Sequence, residues 1–242
     1  MWIKICGVTR AEDVAAIVRS GADAIGFNFY PGSRRYISIA AARKLVAATR
    51  LARTDAPPVD RVGVFVNADA EVIHRTIQET ELNVLQIHGD ETIEQIAEIH
   101  RRCPETAVIR AFRVAPQNIE KTLEEIDRLT LSVPLAAVLL DALVPGEFGG
   151  TGITVDPLVL QRYSMQQRPG LILAGGLNPK NVASATEHVA VWGIDTASGV
   201  ESAAGIKDAA MVDQFIRAAR AAEITDNHLT QPIRIGGSIR GS

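Results

Sequence analysis

The chain has 242 residues, 47% hydrophobic and 22% charged, with a formal net charge of −3. That balance offers no basic patch to nucleic acid, no run approaches the roughly 20 apolar residues of a membrane span, and Trp2–Ile5, broken by Lys4, is too short for a secretory signal. Cys6 and Cys103 match no zinc or disulfide spacing, so the expectation is one water-soluble globular domain, or two small ones, in a reducing cytoplasm.

Trp2 to Cys6 reads as a buried strand ended by Gly7, with Lys4 and Cys6 on one face and Ile3 and Ile5 on the other. Thr9 and Glu12 have the spacing of a capping box. The helix they open carries Ala11, Val14, Ala15 and Val18 as a core-facing stripe, and Gly21 suits a left-handed C-cap. Asp23–Phe29 is the second strand, Tyr30–Tyr36 a loop, and a helix begins near Ser38 with Ala42, Leu45 and Val46 inward. Residues 50–60, with Pro57-Pro58, form a polar connector. Strands then follow at Arg61–Val66, Asn83–Ile87 and Thr106–Phe112, with helices at Asp69–Glu79 (Val72, Ile73, Thr76 and Ile77 on one side), Glu91–Arg102 and Asn118–Leu129.

The second half keeps the rhythm. Leu135–Leu140 is a strand, followed by a glycine-rich loop and a weakly helical piece from Asp156 to Tyr163. Gly170–Ala174 is the seventh strand, and a helix starts at Asn178 with Pro179 in its first turn. Val189–Asp195 is the eighth strand, and a last helix from Asp208 buries Met211, Val212, Phe215 and Ile216. Eight strand–helix units in about 220 residues predict an α/β fold, a closed (β/α)₈ TIM barrel forming a single domain over 1–222. An open doubly wound sheet would want a glycine fingerprint after the first strand, which Cys6-Gly7-Val8-Thr9 is not. Residues 223–242 read as a disordered tail or an artificial extension.

In such a barrel the chemistry sits at the C-terminal ends of the strands. Cys6 stands there after strand 1, either as a small buried hydrophobe or as a reactive thiol that Lys4 would help to ionise. Lys4 itself suits an ion pair inside the barrel. Asp141 ends a wholly apolar strand; burial would raise its pKa toward that of a general acid, or it caps the next loop. Gly175-Gly176, running into a helix, and Ser198-Gly199 offer bare N–H groups to a phosphate, or simply allow tight turns. Arg35 has the fork for a carboxylate or phosphate. His88 either fixes its loop or touches substrate, and Asp195 orients the phosphate loop or pairs with Lys4. Cys103 reads as inert.

Nine motifs in order resemble the phosphoribosylanthranilate isomerase family. They are Lys4-Ile5-Cys6-Gly7-Val8-Thr9, Gly21-Ala22-Asp23-Ala24-Ile25-Gly26-Phe27, Ser33-Arg34-Arg35-Tyr36-Ile37-Ser38, Val62-Gly63-Val64-Phe65-Val66-Asn67, Leu85-Gln86-Ile87-His88-Gly89, Leu139-Leu140-Asp141, Gly149-Gly150-Thr151-Gly152, Leu173-Ala174-Gly175-Gly176-Leu177-Asn178-Pro179 and Ser198-Gly199-Val200-Glu201. The resemblance implies an Amadori isomerase of tryptophan biosynthesis, with Cys6 as catalytic base and Asp141 as catalytic acid. Arg35, Gly175, Gly176, Ser198 and Gly199 would bind the substrate, with His88 and Asp195 as further pocket contacts. It also implies no metal or organic cofactor, a phosphorylated small-molecule substrate, and a monomer, with a homodimer as the alternative. Two rival readings are a lyase using Lys4 as a Schiff base and a barrel that binds phosphosugars without converting them.

Overall fold

A computed structural model of the chain describes residues 1–52, 58–142, 155–187 and 189–225. Its eight parallel strands are β1 (Trp2–Ile5), β2 (Ala24–Asn28), β3 (Asp60–Phe65), β4 (Val84–Ile87), β5 (Ala107–Val114), β6 (Leu135–Ala142), β7 (Gly170–Leu173) and β8 (Gly193–Thr196). They close in chain order, and β1 meets β8 in the register Lys4 to Asp195 and Ile5 to Thr196. The connecting helices are α1 (Ala11–Ser20), α2 (Ile39–Leu51), α3 (Ala70–Thr80), α4 (Ile93–Arg102), α5 (Ile119–Thr130), α6 (Pro157–Ser164), α7 (Val182–Thr186) and α8 (Ala209–Thr225). The (β/α)₈ barrel is therefore what the alternation of elements predicts. No described helix is long and apolar enough to cross a membrane.

The strands sort their side chains by the two-residue pleat. Ile3, Ile5, Ile25, Phe27, Phe65 and Leu85 point outward into the helix layer. Trp2, Ala24, Val62, Val84, Ala137 and Leu139 fill the interior. Continuing the inward face toward the C-terminal ends takes Trp2 to Lys4 and Cys6, Ala24 to Gly26 and Asn28, Val84 to Gln86 and His88, and Leu139 to Asp141. The barrel interior thus changes from apolar to polar within two residues along several strands.

Several local expectations are corrected. Thr9 does not cap α1; Arg10 takes the N-cap position without a side-chain bond, and Thr9 Oγ1 instead donates to the Gly205 carbonyl at 2.6 Å. The buried stripe of α1 is Asp13, Val14, Ile17 and Val18, because Asp13 is drawn inward by the Lys207 N–H. Val72 is exposed, and Thr80 completes the inward side of α3. A reciprocal capping box does form at Thr92 and Gln95, so α4 starts at Ile93 and Glu91 stays in the loop. The helix expected from Asn178 starts only at Val182, because the Asn178 and Asn181 side-chain amides both donate to the Gly176 carbonyl and hold that stretch as a turn. The eighth strand is shorter than expected and reaches Thr196. After it come a 3₁₀ turn (Ser198–Val200) and an unexpected hairpin of β9 (Glu201–Ala203) and β10 (Ile206–Lys207). Gly21 (φ 89°) caps α1 as expected, and the helix expected near Ser38 begins at Ile39 with the Ser38 side chain accepting from the Ala41 N–H. The backbone of α8 runs three residues beyond the barrel end expected at 222. Gly149-Gly150-Thr151-Gly152, Pro57 and the tail from 226 lie outside the described residues.

Candidate active site

Cys6 follows β1 at the barrel mouth, half-buried and unpaired. Its N–H donates to the Thr196 carbonyl at 2.8 Å, which ties the end of β1 to the end of β8. Lys4 is fully buried on the same face, with Nζ 2.8 Å from Asp195 Oδ2; the two form an ion pair, although no donor of Nζ is aligned as a hydrogen bond. Space for this cluster comes from Gly26 on β2: a β-carbon there would lie 2.7 Å from Cys6 Sγ and 3.1 Å from Lys4 Cε. Burial pushes the Cys6 thiol above its ordinary value, and Asp195 adds to this. Lys4 pulls the other way, as expected from sequence, and so does Lys207, yet burial outweighs them. Burial alone would discharge Lys4, but Asp195 and Cys6 hold it protonated.

Asp141 lies on β6 with its carboxyl at the same mouth. Burial first and Asp195 second raise it to about 6, against the Ala142 N–H, Arg113 and Lys4, which favour the carboxylate. Gly175 has φ 87°, and a β-carbon on it would meet Asp141 Oδ1 and the Ala142 nitrogen at 2.8 Å. This glycine therefore makes room for the acid as well as bending the loop. His88 Nε2 faces Asp141 Oδ2 at 3.7 Å. The His88 loop is pinned by the buried Glu91 carboxylate, which accepts from the Asn67 and Gly89 N–H groups and from Arg110.

Arg35 reaches the mouth from the loop after β2 and forks onto Glu201, with Nε at 2.8 Å and Nη2 at 2.7 Å from the two carboxylate oxygens. In the loop after β7, the Gly176 carbonyl is used by the two asparagines, while its N–H has no partner among the described residues. The N–H groups of Ser198 and Gly199 are likewise unpartnered among the described residues. A β-carbon on Gly199 would lie 1.9 Å from the Leu177 carbonyl, so the loops after β7 and β8 press together only because this residue is glycine. Among the described residues no three His, Cys, Asp or Glu side chains are grouped to hold a metal ion. Cys103 is buried at the end of α4, away from this cluster.

The profile of N-(5'-phosphoribosyl)anthranilate (PRA) isomerase matches residues 3–218. The chain belongs to the phosphoribosylanthranilate isomerase family. A relative of that name from Chlorobaculum parvum is 41% identical over 223 residues, 91% of this chain and 96% of its own. Monomers generated from the dimeric phosphoribosylanthranilate isomerase of Thermotoga maritima share the fold at TM-score 0.75 and 36% identity, covering 91% of this chain and 99% of theirs. A phosphoribosylanthranilate isomerase in complex with reduced 1-(o-carboxyphenylamino)-1-deoxyribulose 5-phosphate gives TM-score 0.73 and 36% identity over the same shares.

Against that isomerase family, the structure brings Cys6, Asp141, Arg35, His88, Asp195 and the two glycine loops to one end of the barrel. Sequence reasoning missed Lys207, Glu201 and Gln86. Gln86 was legible in principle, as a polar residue on the inward face of an apolar strand. Glu201 stands in one of the motifs that carry the resemblance but has no role assigned there, and Lys207 left no signal, because their hairpin has too short a pattern to show as strands.

Proposed function

We propose that this chain converts N-(5'-phosphoribosyl)anthranilate into 1-(2-carboxyphenylamino)-1-deoxyribulose 5-phosphate, an aldose-to-ketose Amadori rearrangement. Asp141 is the general acid and Cys6 the general base. The observation that carries the reading is a half-buried thiol at the mouth after β1, set against a carboxyl on β6 that is raised to about 6. Protonated Asp141 gives its proton to the furanose ring oxygen as the bond from C1 to that oxygen breaks. The nitrogen lone pair moves into a C1=N Schiff base. Cys6, as thiolate, then takes the C2 proton, and the C2–H electrons form C1=C2 while discharging the iminium to an enolamine. Tautomerisation of the enol gives the ketone.

Binding draws on both anionic ends of the substrate. Arg35 has Nε and Nη2 committed to Glu201, which leaves Nη1 for the anthranilate carboxylate. The N–H groups of Gly176, Ser198 and Gly199 suit the phosphate, with Gly175 shaping the loop and His88 and Asp195 lining the pocket. Holding the remote phosphate positions the reacting carbon between acid and base. Every group comes from one barrel, which supports action as a monomer, and two unpaired cysteines suit a reducing cytoplasm. Stopped-flow fluorescence with freshly generated phosphoribosylanthranilate tests the activity. Rapid decay to the ketose is expected, and a rate no faster than the enzyme-free decay would remove the assignment.

A further inference from the structure

Lys207 is buried at the end of β10, its side chain 1% exposed, in a hairpin to which the isomerase reading above assigns nothing. Its Nζ donates to Glu201 Oε1 at 2.7 Å and to the Ala197 carbonyl at 2.9 Å. Ala197 follows Thr196, whose carbonyl takes the Cys6 N–H, so the ammonium is anchored beside the strand end that carries the sulfur. Glu201, 4% exposed, holds Arg35 with the same carboxylate. The Arg35 stem in turn lies over Gly7, where a β-carbon would come 2.3 Å from its Cδ. The hairpin is locked in place from outside by Thr9 on Gly205 and by Asp13 on the Lys207 N–H.

We propose that Lys207 and Glu201 are positioning residues of the isomerisation: Glu201 ties Lys207 and Arg35 into one buried ion cluster that carries both cations to the Cys6 end of the pocket. This rests on Cys6 being the base. The charged groups whose fields act on Cys6 are Lys4 from β1, Asp195 from β8 and Lys207 from β10, and Arg35 from the loop after β2 is in turn held charged in part by the Cys6 thiolate. Lys4 is matched by Asp195, so Lys207 supplies a further positive field for the thiolate. A carboxylate shared between two cations keeps both in place and limits their repulsion.

The experiment is the rate of Cys6 alkylation by iodoacetamide across pH, read by peptide mass on the full chain, so that it depends on no turnover. Lys207→Gln removes the charge and keeps a hydrogen-bonding end; its alkylation midpoint is expected to rise by about one pH unit, roughly tenfold slower reaction at a given pH below it. Lys207→Arg keeps the charge and is expected to track the parent. A midpoint in Lys207→Gln equal to the parent overturns the proposal, and Lys207→Met carries the same test if the glutamine variant does not fold. In turnover, Glu201→Gln loosens Arg35 and is expected to raise KM roughly tenfold, more than it lowers kcat; an unchanged KM overturns the part given to Glu201. An inactive parent protein whose midpoint still moves would separate failure of the isomerase reading from failure of this one.

Discussion

His88 presents Nε2 to Asp141 Oδ2 at 3.7 Å while its other ring nitrogen lies 2.9 Å from Gln86 Nε2. With Gln86 donating to Nδ1, the neutral ring carries its proton on the side of the carboxyl. Burial, helped by Lys4, Arg110 and Arg113, pulls His88 down to about 3, so it is uncharged wherever Asp141 titrates. Its effect on the acid is that of a dipole. Replacing His88 with Asn is expected to move the acidic limb of kcat/KM by less than about half a pH unit. A move of a full unit would show a charged imidazole.

The two titrating groups stand in reversed order for the roles proposed for them. Asp141 loses its proton near 6 and Cys6 above the ordinary thiol range, so the competent pair, acid protonated and base ionised, is a minor form of the singly deprotonated site. The profile of kcat/KM is expected to rise through about 6, stay level, and fall only on the alkaline side of ~8.5, the usual thiol value. A maximum centred near 6 with no plateau would contradict the assignment.

Removing either group should leave the barrel intact and take away the proton transfer. Cys6→Ala and Asp141→Asn are each expected to lower kcat by about 10²–10⁴-fold, with unchanged circular dichroism. Near-parental kcat in either would strip that residue of its role.

Asp141 also costs stability when ionised. Its folded value of about 6 lies above the ordinary 3.8, so the native state binds this proton more tightly than the unfolded chain. That contribution is fully present below about pH 4 and is lost as pH rises through 6. Asp141→Asn is therefore expected to unfold at higher denaturant than the parent near neutral pH, by up to about 3 kcal/mol, and to match it near pH 3.5. Equal midpoints at neutral pH would mean the carboxyl is not strained.

Lys4 and Asp195 form a buried pair, with Lys4 wholly shielded from solvent and Asp195 nearly so. Lys4→Met strands the carboxylate and is expected to cost roughly 3–5 kcal/mol, much of it recovered in the Lys4→Met, Asp195→Leu double variant. An ammonium held protonated has no lone pair for a carbonyl, so borohydride with a carbonyl substrate is expected to leave Lys4 unlabelled. A stable adduct there would favour the lyase reading.

Gly26→Ala tests the packing of the thiol. The added methyl meets Cys6 Sγ at 2.7 Å and the Cys6 Cα, part of the backbone, at 3.0 Å. Overpacking of this kind costs about 1–3 kcal/mol, and displacing the proposed base is expected to lower kcat by about 100-fold. A stable, fully active variant would show that the sulfur has room to move.

The periodicity of apolar residues was enough to determine the barrel, since eight short buried strands and their helices each leave a local signature. The end-of-strand positions followed from it, which is why Cys6, Asp141, Arg35 and the glycine loops could be named from the chain alone. Tertiary structure decided what those residues do to one another. Whether Thr9 caps a helix or bonds Gly205, whether Lys4 or burial wins at the thiol, and whether Arg35 stands alone or forks onto Glu201 depend on groups brought from distant parts of the chain. Charge–charge energies and burial act through space, and sequence spacing carries no record of them.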